Sequence, residues 1–322
     1  MNDKFNSGSL SRDKLNPEEV FATLGNKHRM GIIRELDKRQ SVNARTPDDP
    51  VPYSELLAAT DIQDKGQFNY HLGKLTDIFV EKRTEGYLLT HAGREVVRAV
   101  KAGSFTARPD TIPIPVESVT CPYCGSKGLW FGYEGGVLFF GCNDCEGMAP
   151  DDPNEEISGI VQAGRFPASG LVDRTPEEIY HLGPIWGNFV HRLLSEGLCP
   201  SCAGNVEATV DVCSNHPEEG VCETCGERYA GGVSYTCAVC GYGEAMPLWG
   251  RALVHEEMFR FAYNRGVNLN RPSASDLKMT RDIEEEVLST DPPRVRYSFT
   301  IEGDTLTMTI DDSLTMTDVT ET

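Results

Sequence analysis

The sequence predicts an α+β protein in two parts. The first is a small N-terminal domain of helices with one hairpin. The second is a larger C-terminal domain built on cysteine-bearing hairpins, with helices and a small antiparallel sheet. Three observations carry this. Residues 16–104 run through successive helical periodicities, broken once by two short alternating stretches. Ten of the eleven cysteines fall in five C-x2-C pairs: Cys121/Cys124, Cys142/Cys145, Cys199/Cys202, Cys222/Cys225 and Cys237/Cys240. The chain has 322 residues, 39% of them hydrophobic, which is enough for two or three cores and too apolar for wholesale disorder.

After a flexible stretch at 1–15, Asn16-Pro17-Glu18-Glu19 is a helix start, with Asn as cap and Pro at the first helical position. Val20, Phe21 and Leu24 form its expected buried stripe. Asn26 caps a second helix with Ile32, Ile33 and Leu36 inward. A polar loop at 41–52 leads to a short helix at 54–59 and a turn at 60–63. A third long helix over 64–77 follows, opened by Asp64 and burying Phe68, Leu72 and Leu75. Two short strands, 80–83 and 87–90, flank Glu85-Gly86, and a closing helix over 91–101 turns Val96, Val97 and Val100 inward. This order is that of a winged helix-turn-helix. The polar content of the 64–77 helix is Lys65, Gln67, Asn69, Tyr70, His71 and Lys74. Gln and Asn pair bidentately with adenine and Lys reaches guanine or phosphate, so double-stranded DNA is the expected partner.

The stretches FATLGNKHRMGIIREL (21–36) and FNYHLGKLTDIFVEKRTEGYLLTHAGREVV (68–97) closely resemble the ArsR-type winged-helix regulators of haloarchaea, over roughly residues 15–103. The resemblance places Gln67, Asn69 and Tyr70 at base-reading positions, His71 at a recurrent His before a buried Leu, and Lys82 and Arg83 on the wing near phosphate. It implies a homodimer formed through the first and last helices, with recognition helices about one DNA turn apart on a two-fold site. The family's metal-sensing motif, a Cys on the helix before the recognition helix, is missing: Tyr53-Ser54-Glu55-Leu56-Leu57-Ala58-Ala59 holds neither Cys nor His.

A Pro-rich linker over 105–116 separates this domain from 117–322. There, Cys121, Cys124, Cys142 and Cys145 are spaced C-x2-C-x17-C-x2-C around two apolar strands, the pattern of a zinc ribbon with four thiolates; a rubredoxin-like iron site uses the same ligands. In the second block, 199–240, Cys213 finds His216 three residues on, which makes a fourth pair. Four pairs make two sites, joined sequentially, nested or cross-braced. The sequential form, favoured as the least demanding, groups Cys199, Cys202, Cys213 and His216, then Cys222, Cys225, Cys237 and Cys240. In it, 206–212 is a strand and Gly231-Gly232 a turn. Three structural Zn2+ ions then use every cysteine, and thiol ligation implies a reducing compartment. Between the blocks lie an acidic loop at 151–156 and a helix over 175–195 capped by Thr175. A further helix at 248–264, an acidic helix near 283–288 and strands within 294–320 complete the domain, and Trp186 and Trp249 are expected in the core.

Net charge is −19, but residues 17–101 are neutral and 102–322 carry −20. The excess acid suits a protein adapted to concentrated salt, and the neutral segment suits one domain meeting a polyanion. No apolar run reaches the ~18 residues of a membrane span, and the N-terminus is no secretory signal, so the expectation is cytoplasmic. No phosphate-binding loop, nucleophile elbow, helical zinc-protease pair or deaminase signature occurs, so no enzyme is expected. Winged helix followed by zinc ribbon is also the layout of archaeal initiation factor E alpha, which binds RNA polymerase, and a zinc-stapled interaction scaffold is the third reading.

Overall fold

The computed structural model describes residues 16–39, 49–105, 111–147, 159–217, 222–272, 276–280 and 283–322. The N-terminal stretch 1–15, most of the loop 41–52, residues 106–110 of the linker and the acidic loop 151–156 lie outside them. The fold is α+β with small antiparallel sheets, and the chain divides into two compact units, 1–107 and 108–322.

The first unit runs α1 (Pro17–Leu24), α2 (Lys27–Arg39), α3 (Tyr53–Ala59), α4 (Lys65–Leu75), β1 (Val80–Lys82), β2 (Tyr87–Leu89) and α5 (His91–Lys101). Side chains close the helix starts. Asn16 accepts the Glu18 N–H at 3.0 Å, Asn26 that of His28 at 3.0 Å, Asp64 that of Gln67 at 2.6 Å and Thr90 that of Gly93 at 3.1 Å. One core joins Ile32, Ile33 and Leu36 of α2 to Leu56, Phe68, Leu72, Leu75, Val80 and Leu89. Val51 extends the hairpin by exchanging two 2.9 Å backbone hydrogen bonds with Tyr87. The stripe expected on α1 is not buried: no residue of this helix is, and Phe21 is 67% exposed. Eight residues lying on the flank of α2 reach the core only through the edges of Val20 and Leu24.

The second unit opens with a sheet in the order β3 (Thr111–Pro115), β4 (Leu129–Glu134), β5 (Val137–Cys142), β6 (Ile160–Arg165). Part of the expected linker is therefore strand. β3 lies on the sheet edge, where Pro113 and Pro115 cost no interior ladder bonds. Next come α6 (Pro176–Ser195), then β7 (Val206–Val212), β8 (Gly231–Cys237) and β9 (Gly243–Pro247) as a second sheet. Gly231-Gly232 begins β8 and is not a turn. The 248–264 helix is two pieces, a 3-10 helix at Leu248–Val254 and α7 (Glu256–Asn264), because His255 stops one and caps the other by accepting the Glu257 N–H at Nδ1.

The expected acidic helix at 283–288 is instead β10 (Glu284–Thr290), first strand of a four-stranded meander with β11 (Pro293–Ile301), β12 (Asp304–Asp311) and β13 (Met316–Glu321). Tertiary partners override its helical composition. The Glu285 carboxylate accepts the Ala230 N–H at 2.6 Å, the Gly231 N–H at 3.0 Å and the Tyr297 hydroxyl at 2.8 Å, while Glu286 pairs with Arg296. α6 spans two cores: Ile179 and Tyr180 sit with β4 and β5, Val190 and Leu194 with β8, α7 and the meander. Its start is a full capping box, Thr175 and Glu178 each accepting the other's N–H. Trp249 is buried, whereas Trp186 remains 36% exposed beside Phe166 and Phe189.

β6, which the periodicity did not mark, covers the first cysteine hairpin through a close approach. Gly159 has φ +66°, and a Cβ there would stand 2.2 Å from the Cys142 carbonyl oxygen and 2.6 Å from that of Cys145. Gly159→Ala is expected to destabilise the second unit by at least about 1–3 kcal/mol from the left-handed backbone alone. Gly164→Ala within β6, where the space is open, should change little. Denaturant midpoints followed by tryptophan fluorescence test this, because Trp130, Trp186 and Trp249 all lie in the second unit.

Candidate metal centres and nucleic-acid interface

Cysteine sulfurs gather in three groups, each with its ligand atoms within 4.8 Å of one another: Cys121, Cys124, Cys142 and Cys145; Cys199, Cys202, Cys237 and Cys240; and Cys213, Cys222 and Cys225. Sulfur–sulfur separations are 3.7 Å for Cys121–Cys145, 3.6 Å for Cys124–Cys142, Cys199–Cys240 and Cys202–Cys237, and 3.8 Å for Cys213–Cys222. These exceed a disulfide bond and match the edges of a tetrahedron of thiolates around one cation. The sites are built from tight turns in which backbone N–H groups point at sulfur. Asp144 donates to Cys142, Ser201 to Cys199, Gly204 to Cys202, Val239 to Cys237 and Thr224 to Cys222, each at 3.4 Å.

The second block pairs in nested fashion, not sequentially. Its register explains why. β7 and β8 are antiparallel, Val206 opposite Cys237 and Val212 opposite Gly231. Cys199 and Cys202 precede β7 and Cys237 and Cys240 end β8, so those pairs meet at one end of the hairpin. Cys213 leaves β7 and Cys222 and Cys225 enter β8 at the other end. At about 3.3 Å per residue, a seven-residue strand holds the ends ~20 Å apart. Sequential pairing would need Cys213 to cross that length. Strand register, which spacing alone does not reveal, was the missing signal.

Donors also set the acidity of the thiols. Hydrogen bonds from Ser126 hold Cys124 down to about 6, the Cys225 N–H does the same for Cys222, and the Cys240 N–H for Cys237. Burial pushes Cys121 up and Cys225 up to about 11. Cys124, Cys222 and Cys237 are thus shifted toward the thiolate form that captures a cation, and binding releases protons from the thiols that remain protonated. The four-thiolate groups are closed, the form of a structural site.

Of the residues expected to meet DNA, Lys65, Gln67, Asn69, Tyr70 and Lys74 lie exposed on α4, and Lys82 and Arg83 lie exposed on the hairpin. His71 does not join them. It is 7% exposed, its ring 5.3 Å from that of His28, and burial lowers its pKa. At its place in the 3.6-residue period it falls with Phe68, Leu72 and Leu75. The Tyr53 hydroxyl donates to Asn69 Oδ1 at 2.7 Å and so orients the amide, Lys74 stands over the Tyr70 ring at 5.9 Å, and Arg83 pairs with Glu81. Gly66 and Gly73 complete the exposed face of α4, and a Cβ at Gly73 would meet open space.

Fold and site together define an α+β protein with, among the described residues, two four-cysteine clusters and one three-cysteine cluster able to hold metal. Residues 118–316 match the family described as Domain of unknown function (DUF7351), and the chain belongs to that family. Residues 17–100 match a second family, described as Domain of unknown function (DUF7347). No curated protein and no solved structure matches the chain. Among the described residues, no helix is long and apolar enough to cross a membrane.

Proposed function

We propose that this chain is a DNA-binding transcriptional regulator that reads an operator through the exposed face of α4, its second unit held together by structural zinc ribbons. The observation that carries this reading is the make-up of that face. It offers Lys65, Gln67, Asn69, Tyr70 and Lys74 to solvent with two glycines among them, beside a hairpin bearing Lys82 and Arg83. A glycine inside a helix costs about 0.5–1 kcal/mol relative to alanine, and at Gly73 no packing contact accounts for it. Close approach of a duplex does.

On this reading α1 to α5 with β1 and β2 form an ArsR-type winged helix-turn-helix of a haloarchaeal cytoplasmic protein. α3 and α4 are the helix-turn-helix and β1–β2 the wing. Phe21, exposed on α1, supports a homodimer joined through α1 and α5. The neutral charge of residues 17–101, set against −20 over 102–322, keeps the operator from being repelled. In molar salt the counterion-release contribution is small, so contacts to bases carry the affinity. The second unit then supplies the surface for a partner or effector.

Genome-wide immunoprecipitation of the tagged protein in its own cells tests the proposal. A few discrete promoters sharing an inverted repeat are expected. Signal at every active promoter without a shared motif would point instead to a general initiation factor that travels with RNA polymerase. An empty map would leave a protein-interaction scaffold.

A further inference from the structure

The third cysteine cluster departs from the other two in a way that changes what it can do. Among the described residues it brings three sulfurs together, Cys213, Cys222 and Cys225, where the others bring four. His216 has the spacing of a fourth ligand but faces elsewhere. Its Nδ1 lies 2.9 Å from the Pro217 carbonyl oxygen and its Nε2 lies 3.1 Å from that of Glu227. That Glu227 oxygen also accepts the Cys222 N–H at 3.0 Å. Each nitrogen thus lies beside a backbone carbonyl oxygen, of which a neutral ring can donate to one, and His216 is not among the ligand atoms gathered with Cys213, Cys222 and Cys225. Cys222 is buried, Cys213 half-buried and Cys225 exposed. A cleft of about 590 Å³ opens beside them, lined by Cys213, Cys225, Ser214, Thr224 and Tyr229 among others.

Resting on the reading of the cysteine groups as zinc sites, we propose that this third group is an exchangeable site. It holds a thiophilic divalent cation such as Zn2+ by three thiolates and takes the fourth ligand, water or a small donor molecule, from the cleft. A three-ligand site with one position on solvent is the arrangement that admits an incoming ligand, whereas four thiolates close the sphere. A competing chelator can attack the third ion directly but must wait for a thiolate to leave the other two. The third ion is the one whose occupancy follows metal supply, while the ribbons stay loaded.

Zinc-loaded full-length protein mixed with excess 4-(2-pyridylazo)resorcinol tests this by the colour of the released metal. The expected result is three equivalents, one leaving at least tenfold faster than the other two. Cys225→Ser removes the fast equivalent and keeps the slow pair, and His216→Ala keeps all three. In protein reloaded with Co2+, added imidazole should shift the ligand-field bands of wild type and leave those of Cys225→Ser unmoved. One common release phase, or cobalt bands that imidazole does not shift, would overturn the inference while leaving the two ribbons as zinc sites. A chain that binds no metal in any cluster would overturn the zinc reading itself.

Discussion

Stripping metal from the intact chain at neutral pH is expected to unfold the second unit and leave the first folded. Whole domains are stable by only about 5–15 kcal/mol, and structural zinc contributes an apparent ~10–16 kcal/mol in small zinc-dependent folds. Loss of the closed ions therefore removes as much as the unit has. The packing shows why nothing else compensates: Cys121 and Cys142 are themselves members of the core around Phe131, Phe140 and Tyr180, so the ligands and the apolar layer are the same structure. Without a cation, sulfurs 3.6–3.7 Å apart repel as they ionise. Acid acts in the same direction. A thiol held at about 6 against an ordinary 9.0, as at Cys124, adds stability that is complete above about 9, declines as pH falls, and is gone below about 6. Cys124→Ser and Cys202→Ser should each behave as a partial chelation. The measurement is hydrogen exchange of the full chain with and without chelator. Protection should vanish across 116–310 and persist at Ile32, Leu56 and Phe68. Protection that survives chelation in the second unit would mean that the cores of α6 and the meander suffice alone.

How far the sequence reached differs between the two units for a physical reason. In the first unit most elements have a local signal: Asn16, Asn26 and Asp64 as caps, a 3.6-residue stripe, and a turn at Glu85-Gly86. The helices and strands accordingly stand where those signals put them. In the second, local rules competed with partners distant in sequence. The acidic stretch suggested a helix near 283–288, yet Glu285 is fixed by the Ala230 and Gly231 amides some 55 residues away. β3 and β6 exist because β4 and β5 offer edges, and the proline and glycine content of their own sequences hid them. The cysteine ligands were legible from spacing, since each tight turn is local. Their grouping was not, since it depends on the β7–β8 register. Phe21 and His71 exchanged roles for a related reason: periodicity says which residues share a face of a helix but not whether another element covers it.

If α4 reads DNA as proposed, the second large effect is expected on its exposed face. Asn69→Ala and Gln67→Ala should each cost about 1–3 kcal/mol with the operator and relax preference at the base they contact, while Lys82→Ala and Arg83→Ala should weaken all sequences alike and each lower the salt slope by about 1. Asn69 is the more demanding case, because the Tyr53 hydroxyl already occupies one lone pair of Oδ1 at 2.7 Å. That bond restrains the amide and leaves the second lone pair and the NH2 for a base. Tyr53→Phe should therefore lose part of the Asn69 effect with no loss of base-contacting atoms. Gly73→Ala separates this reading from a merely solvated helix. It should stabilise the first unit by about 0.5–1 kcal/mol, since alanine is the better helix former and the added methyl meets open space. It should also weaken operator binding, because that methyl would stand between the helix and the groove. Competition binding with the operator recovered by immunoprecipitation, beside thermal melts of the same variants, measures both. A Gly73→Ala protein that is more stable and binds as tightly as wild type would place the duplex elsewhere than on α4.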